Sequence, residues 1–157
     1  MKKLFLILFV SAIAVTGHSQ KLLGVRGGAS ITFPSGTTFT NALIGVSFQN
    51  ALGDKMSIGG NVDLIPASGY MAINIQPAFN YYFNEVFNGF HVGAAAGIGI
   101  STFSGAGIAI PIDANVGYNI GIGDKLNVGV FVMPGITLAS GDVTFGIKPG
   151  ASLAFKF

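Results

Sequence analysis

Four charged side chains have the types and placing that could do chemistry together: Arg26, Asp63, Asp113 and Lys148, two of each sign. Each falls on the same side of an alternating segment, among small polar residues. Four such groups gathered away from water are costly unless they pair. Their expected role is an ionic plug joined by hydrogen bonds; the competing role is a gated polar path for a small solute, which the many inward glycines would favour. Other chemistry finds little support. The region after residue 19 holds one histidine, His91, followed by Val92 and Gly93 with no serine two positions on, so it is expected to be an interfacial, hydrogen-bonded residue and not a catalytic one. One histidine and scattered aspartates give no metal-ligand spacing. Gly93, Gly97 and Gly99 share one strand face and do not open a helix, so they form no phosphate loop. The expectation is a non-enzyme with no cofactor and no metal.

The elements that must carry these residues read as strands. In 55–64, Met56, Ile58, Val62 and Leu64 alternate with Ser57, Gly59, Asn61 and Asp63; in 108–120, seven apolar residues from Ile108 to Ile120 keep the same phase. Eight segments follow, 21–32, 40–50, 55–65, 70–81, 90–101, 108–120, 125–138 and 143–157. Glycine, proline, serine and aspartate clusters separate them. Links this short join antiparallel neighbours, which makes an up-and-down meander. Gly53-Asp54-Lys55-Met56-Ser57-Ile58-Gly59 is echoed by Gly123-Asp124-Lys125-Leu126-Asn127-Val128-Gly129, as expected of two four-strand halves with like turns at one end. Pro77, Pro111, Pro134 and Pro149 run against the pattern, since proline cannot donate to a ladder.

The 157 residues suit a single domain, and only 9% are charged while 50% are hydrophobic, with 24 glycines and no cysteine. A water-covered surface ordinarily needs about a quarter of residues charged. Lys2 and Lys3, the apolar run 4–15 and the small residues Gly17 and Ser19 form a secretory signal peptide, 1–19, ahead of one domain, 20–157. The run is too short to span a bilayer. Losing Lys2 and Lys3 balances the remaining basic residues against the six acidic ones, so nucleic acid is not an expected partner.

The composition of the two faces decides their direction. One face carries bulky aliphatic and aromatic side chains on every strand; the other is mostly Gly, Ala, Ser, Asn and Gln. A soluble sheet would expose Lys and Glu there. The small face is therefore a narrow interior, the bulky face meets lipid, and a sheet in lipid must close. The expected fold is all-β, an eight-stranded antiparallel up-and-down transmembrane β-barrel in the outer membrane of a Gram-negative bacterium. Phe48, Phe79, Tyr81, Phe90 and Tyr118, with Phe155 and Phe157, form the expected periplasmic aromatic girdle. The opposite girdle is poorer, with Phe145 helped by Phe33, Phe39, Tyr70 and Phe103.

The export signal, eight alternating strands and terminal phenylalanine resemble the small outer-membrane β-barrels of the OmpX and OmpA transmembrane-domain type, especially the compact barrel domains of Bacteroidetes-type bacteria. The resemblance implies that Lys148, Gly150, Leu153, Phe155 and Phe157 are the signal read by the barrel-assembly machinery. Outer-membrane lipid is the other expected partner, and the barrel is expected to be a monomer. The outer links are shorter than such barrels usually carry, which argues against a role resting on extended loops. The expected role is structural, in membrane integrity or in interaction. A narrow channel for small polar solutes and a secreted soluble barrel binding a hydrophobic ligand are the alternatives.

Overall fold

A computed structural model describes residues 20–102 and 107–157; the expected signal peptide and Phe103 lie outside the described residues. All the regular elements described are strands: β1 (Lys21–Phe33), β2 (Phe39–Ala51), β3 (Met56–Ala67), β4 (Tyr70–Tyr82), β5 (Gly89–Ala96), β6 (Ile98–Ser101), β7 (Ile108–Ile122), β8 (Leu126–Ala139) and β9 (Asp142–Lys156). β5 and β6 are one wall strand, because both pair with β4 and with β7 in a single unbroken register. The sheet therefore has eight walls, each antiparallel to the next, and it closes where β9 pairs with β1.

Closure can be followed around the ring. From Leu22 the ladder partners are Gln49, Gly59, Ala78, Ala95, Asp113, Gly135 and Gly146, and the path returns to β1 at Thr32, a stagger of ten residues. Stagger and strand number together set the tilt, and eight strands leave an interior that side chains can fill. Gly53 and Gly123, the paired positions of the sequence echo, both take positive φ at the same end of the barrel, that of the termini. At the other end Ser140 and Gly141 both have positive φ in the two-residue link of β8 to β9, the conformation that matches strand twist in a tight hairpin.

The four prolines are accommodated one seam at a time. Pro77 keeps its pairing with Gly60 of β3, but the β4 ladder to β5 and β6 omits residues 76 and 77. Pro111 keeps Thr137 of β8, while the ladder to β5 and β6 omits 110 and 111. Pro134 keeps Ile147 of β9 and leaves a gap toward β7 at 133 and 134; Pro149 keeps Val132 of β8 and leaves one toward β1 at 148 and 149. Each missing N–H thus removes donors from one neighbour only. The break between β5 and β6 has the same cause, since Pro77 and Pro111 flank it from both sides, and Gly97 still donates to the Pro111 carbonyl at 3.1 Å.

Bulky residues face outward along every wall: Val25, Val46, Ile75, Ile98, Ile110, Val130 and Leu153 are each about half or more exposed, and Ile58 and Val62 of β3 are more than a third exposed. The inward sites Arg26, Asn61, Asp63, Gln76, Asp113 and Lys148 are buried. The aromatics Phe79, Tyr81, Phe90, Tyr118, Phe155 and Phe157 are exposed, and Phe48 is partly so. Register holds them at one height, with Leu23 beside both Phe48 and Phe155 and Phe90 beside Tyr118. Phe83, in the link after β4, joins them, its ring 5.5 Å from Tyr81 and 5.3 Å from Phe90. At the opposite end Phe33 stacks on Phe145 at 5.9 Å.

Candidate functional site: the lumen

The interior is layered from the end of the termini to the other mouth. The first layer is apolar: Leu22, Ala51, Tyr82, Val86, Phe87 and Ala154 pack together. Val86 and Phe87 come from the link between β4 and β5, which folds back into the mouth. Three hydrogen bonds hold it there: Val86 N–H to the Asp54 carbonyl at 2.6 Å, Asn127 Nδ2 to the Phe87 carbonyl at 2.6 Å, and Lys55 Nζ to the Phe83 carbonyl at 3.2 Å. Phe87 takes φ of 63°, a conformation a bulky residue adopts only when its surroundings enforce it. The sequence pattern gives no warning of this cork, because a link has no periodicity to show which side chains turn inward.

Above the cork lies an amide network. Ser57 Oγ and Asn80 Nδ2 both donate to Gln49 Oε1, at 2.9 and 3.2 Å, and Asn115 Nδ2 donates to Asn80 Oδ1 at 2.7 Å. Gln49, Asn80 and Asn115 line a chamber of about 60 Å³ together with Arg26, Tyr82 and His91. His91 is buried in the lumen, its ring 5.0 Å from that of Tyr82. It is not at the lipid interface where the sequence placed it, because its odd-numbered position on β5 faces inward with Gly89 and Ala95.

The third layer gathers the four charges. Arg26 Nε lies 3.1 Å from Asp63 Oδ1, and Lys148 Nζ lies 2.6 Å from Asp113 Oδ2. Gln76 Nε2 donates to the same Asp113 oxygen at 2.7 Å. The Arg26 guanidinium also meets Met133 Sδ at 2.8 Å and sits 4.3 Å over the Phe131 ring. Gln76, Phe131 and Met133 were not singled out from the sequence. Gln76 had a signal, since it shares the inward parity of Asn74 and Asn80; the two large apolar residues contradict a face of small residues and had none.

Glycines make the layer possible. A Cβ on Gly45 would collide with Asp63 Oδ1, one on Gly135 with Asp113 Oδ1, and one on Gly117 with the His91 ring. At these positions an inward glycine leaves no bore: it is the mould of a side chain from a neighbouring wall. Beyond the ionic layer the lumen widens into a cup of about 330 Å³ at the mouth opposite the termini, with Asp113 and Lys148 on its floor. Among the described residues no cluster of His, Cys, Asp and Glu could hold a metal ion.

Of the terminal run, Lys148 and Gly150 face the lumen, whereas Leu153, Phe155 and Phe157 lie on the exposed outer surface. One strand thus supplies both a plug residue and an outward apolar comb.

A closed antiparallel barrel with an apolar exterior and a filled polar core defines the class, a small membrane β-barrel. No protein-family model matches the sequence, and no curated protein matches it. Solved structures do match. Neisserial surface protein A superposes with a TM-score of 0.68 at 10% identity, over 87% of this chain and 97% of that one. The attachment invasion locus protein of Yersinia pestis gives 0.61 at 7% identity, over 88% and 99%. The N-terminal β-barrel domain of Pseudomonas aeruginosa OprF gives 0.56 at 13% identity, over 89% and 100%. The shared property is the fold of the eight-stranded outer-membrane β-barrels.

Proposed function

We propose that this chain is a non-conducting, non-enzymatic outer-membrane barrel with a structural, membrane-integrity or interaction role, inserted as a monomer in outer-membrane lipid. The observation that carries the reading is the double closure of the lumen, by the cork around Phe87 and by the Arg26–Asp63 and Asp113–Lys148 pairs. An ion crossing would have to displace both, and the charged layer offers no free counter-charge to replace a lost partner. The outer links 34–38 and 68–69 and the Ser140–Gly141 turn are too short to form an extended adhesive surface. The apolar comb of β9, Leu153 and Phe155, continued by Phe157 just past its end, supports its reading by the barrel-assembly machinery through addition to a sheet edge.

Planar-bilayer recording of the purified protein tests the closure. The expected result is the absence of steady conductance in the wild type. Steady channels whose conductance changes in Arg26→Ala would overturn the sealed reading in favour of a narrow channel.

A further inference from the structure

The ionic layer divides the lumen unequally, and the wider part opens at the mouth opposite the termini. We propose that this cup is a binding site for a small neutral polyhydroxylated solute, of about monosaccharide size. Its volume of about 330 Å³ lies at the lower end of the range that holds small ligands.

The lining carries the chemistry. Ser30, Asn41, Asn74, Thr137 and Thr144 contribute hydroxyls and amides that both donate and accept. Ser30 and Asn74 are more than nine-tenths buried and line the cup. Neither has a polar atom sealed off without a partner, and no side-chain hydrogen bond joins either to another described residue, so their polar atoms are left to whatever fills the cup. Ile65 adds a buried apolar surface against which a C–H face can lie.

Electrostatics selects the ligand's charge. The floor holds one carboxylate and one ammonium already paired at 2.6 Å, so it presents no net charge. The only other ionisable side chain described at this end is Asp142, exposed at the start of β9; Lys21, Asp54, Lys55, Glu85, Asp124, Lys125 and Lys156 all belong to the end of the termini. An anion would meet no unpaired cation there. The sealed floor makes the cup a place to bind and release, not a route through.

The test uses the full mature barrel in detergent micelles, with D-glucose as the neutral probe and L-lactate and choline as charged ones. Backbone NMR should show saturable glucose-dependent shifts confined to amides around Asn74, Thr137 and Thr144, with Kd of about 1 mM, an affinity suited to a half-open site. Ala109→Phe fills the cup from β7 and should weaken this about tenfold or more. Asn74→Ala, which removes a lining amide without adding bulk, should weaken it as well, and a heat-dependent gel shift verifies that both variants fold. Absence of saturable glucose shifts, equal binding in folded Ala109→Phe, or tighter binding of lactate or choline than of glucose would each overturn the proposal. The solute contacts lie in the cup above its floor, so channels in the bilayer experiment alongside confined glucose shifts would sink the sealed reading and leave this site standing.

Discussion

Arg26 is held by a carboxylate, a thioether and an aromatic face at once, and its partner Asp63 is fully buried, with 0% side-chain exposure. Arg26→Ala should therefore cost about 3–5 kcal/mol, because it strands a buried charge, while the joint replacement Arg26→Met with Asp63→Leu should recover most of that loss. Urea unfolding of the barrel in lipid vesicles measures both, and a small penalty for the single variant would show that the pair is not holding the lumen. The glycine moulds make a second prediction. Gly45→Val places a Cβ against the Asp63 carboxylate and 2.7 Å from the Val62 carbonyl oxygen, so it should destabilise by about 1–3 kcal/mol, whereas a residue added at the open turn glycine Gly36 meets no atom within contact distance. There the loss comes only from positive φ.

Among the elements, the strands with their facing directions were legible because a period of two exposes the composition of each side separately. Ile110 against Asp113, or Leu153 against Ser152, already shows which direction is crowded. What was hidden depends on partners distant in sequence. Phe131 fits inward only because Gly150 on the neighbouring wall leaves room for its ring, and no window of β8 alone contains that fact. The cork was hidden for another reason: 83–88 reads as a connector, and its inward packing is fixed by Asp54 and Asn127 from two other hairpins. The prolines appeared as a conflict with the strand pattern and prove to be gaps in one ladder each. Pro134→Ala should restore the donor on the β7 side and add about 0.5–1.5 kcal/mol of stability, read from the same urea titration. Unchanged or lowered stability would mean that the gap has another cause.

At the scale of the molecule, a barrel whose outside is apolar on every wall and whose inside holds the paired charges has reversed the arrangement of a water-soluble protein. Lipid supplies the apolar solvent, and the closed ring leaves no sheet edge to satisfy. A charge placed at Val130, 59% exposed on β8, should then cost about 2–4 kcal/mol as Val130→Arg if it lies near the bilayer midplane, while the folded wild type should migrate differently from the heated chain on gels. The most direct test uses the absence of native cysteine: single cysteines along β8 carry nitroxide labels, and collision with lipid-soluble oxygen is compared with collision with a water-soluble nickel chelate in vesicles. The expected result is high oxygen and low chelate access at Val128, Val130, Val132 and Ile136, with both low at Asn127 and Met133; chelate reaching Val130 as freely as an exposed turn would contradict the lipid-facing barrel.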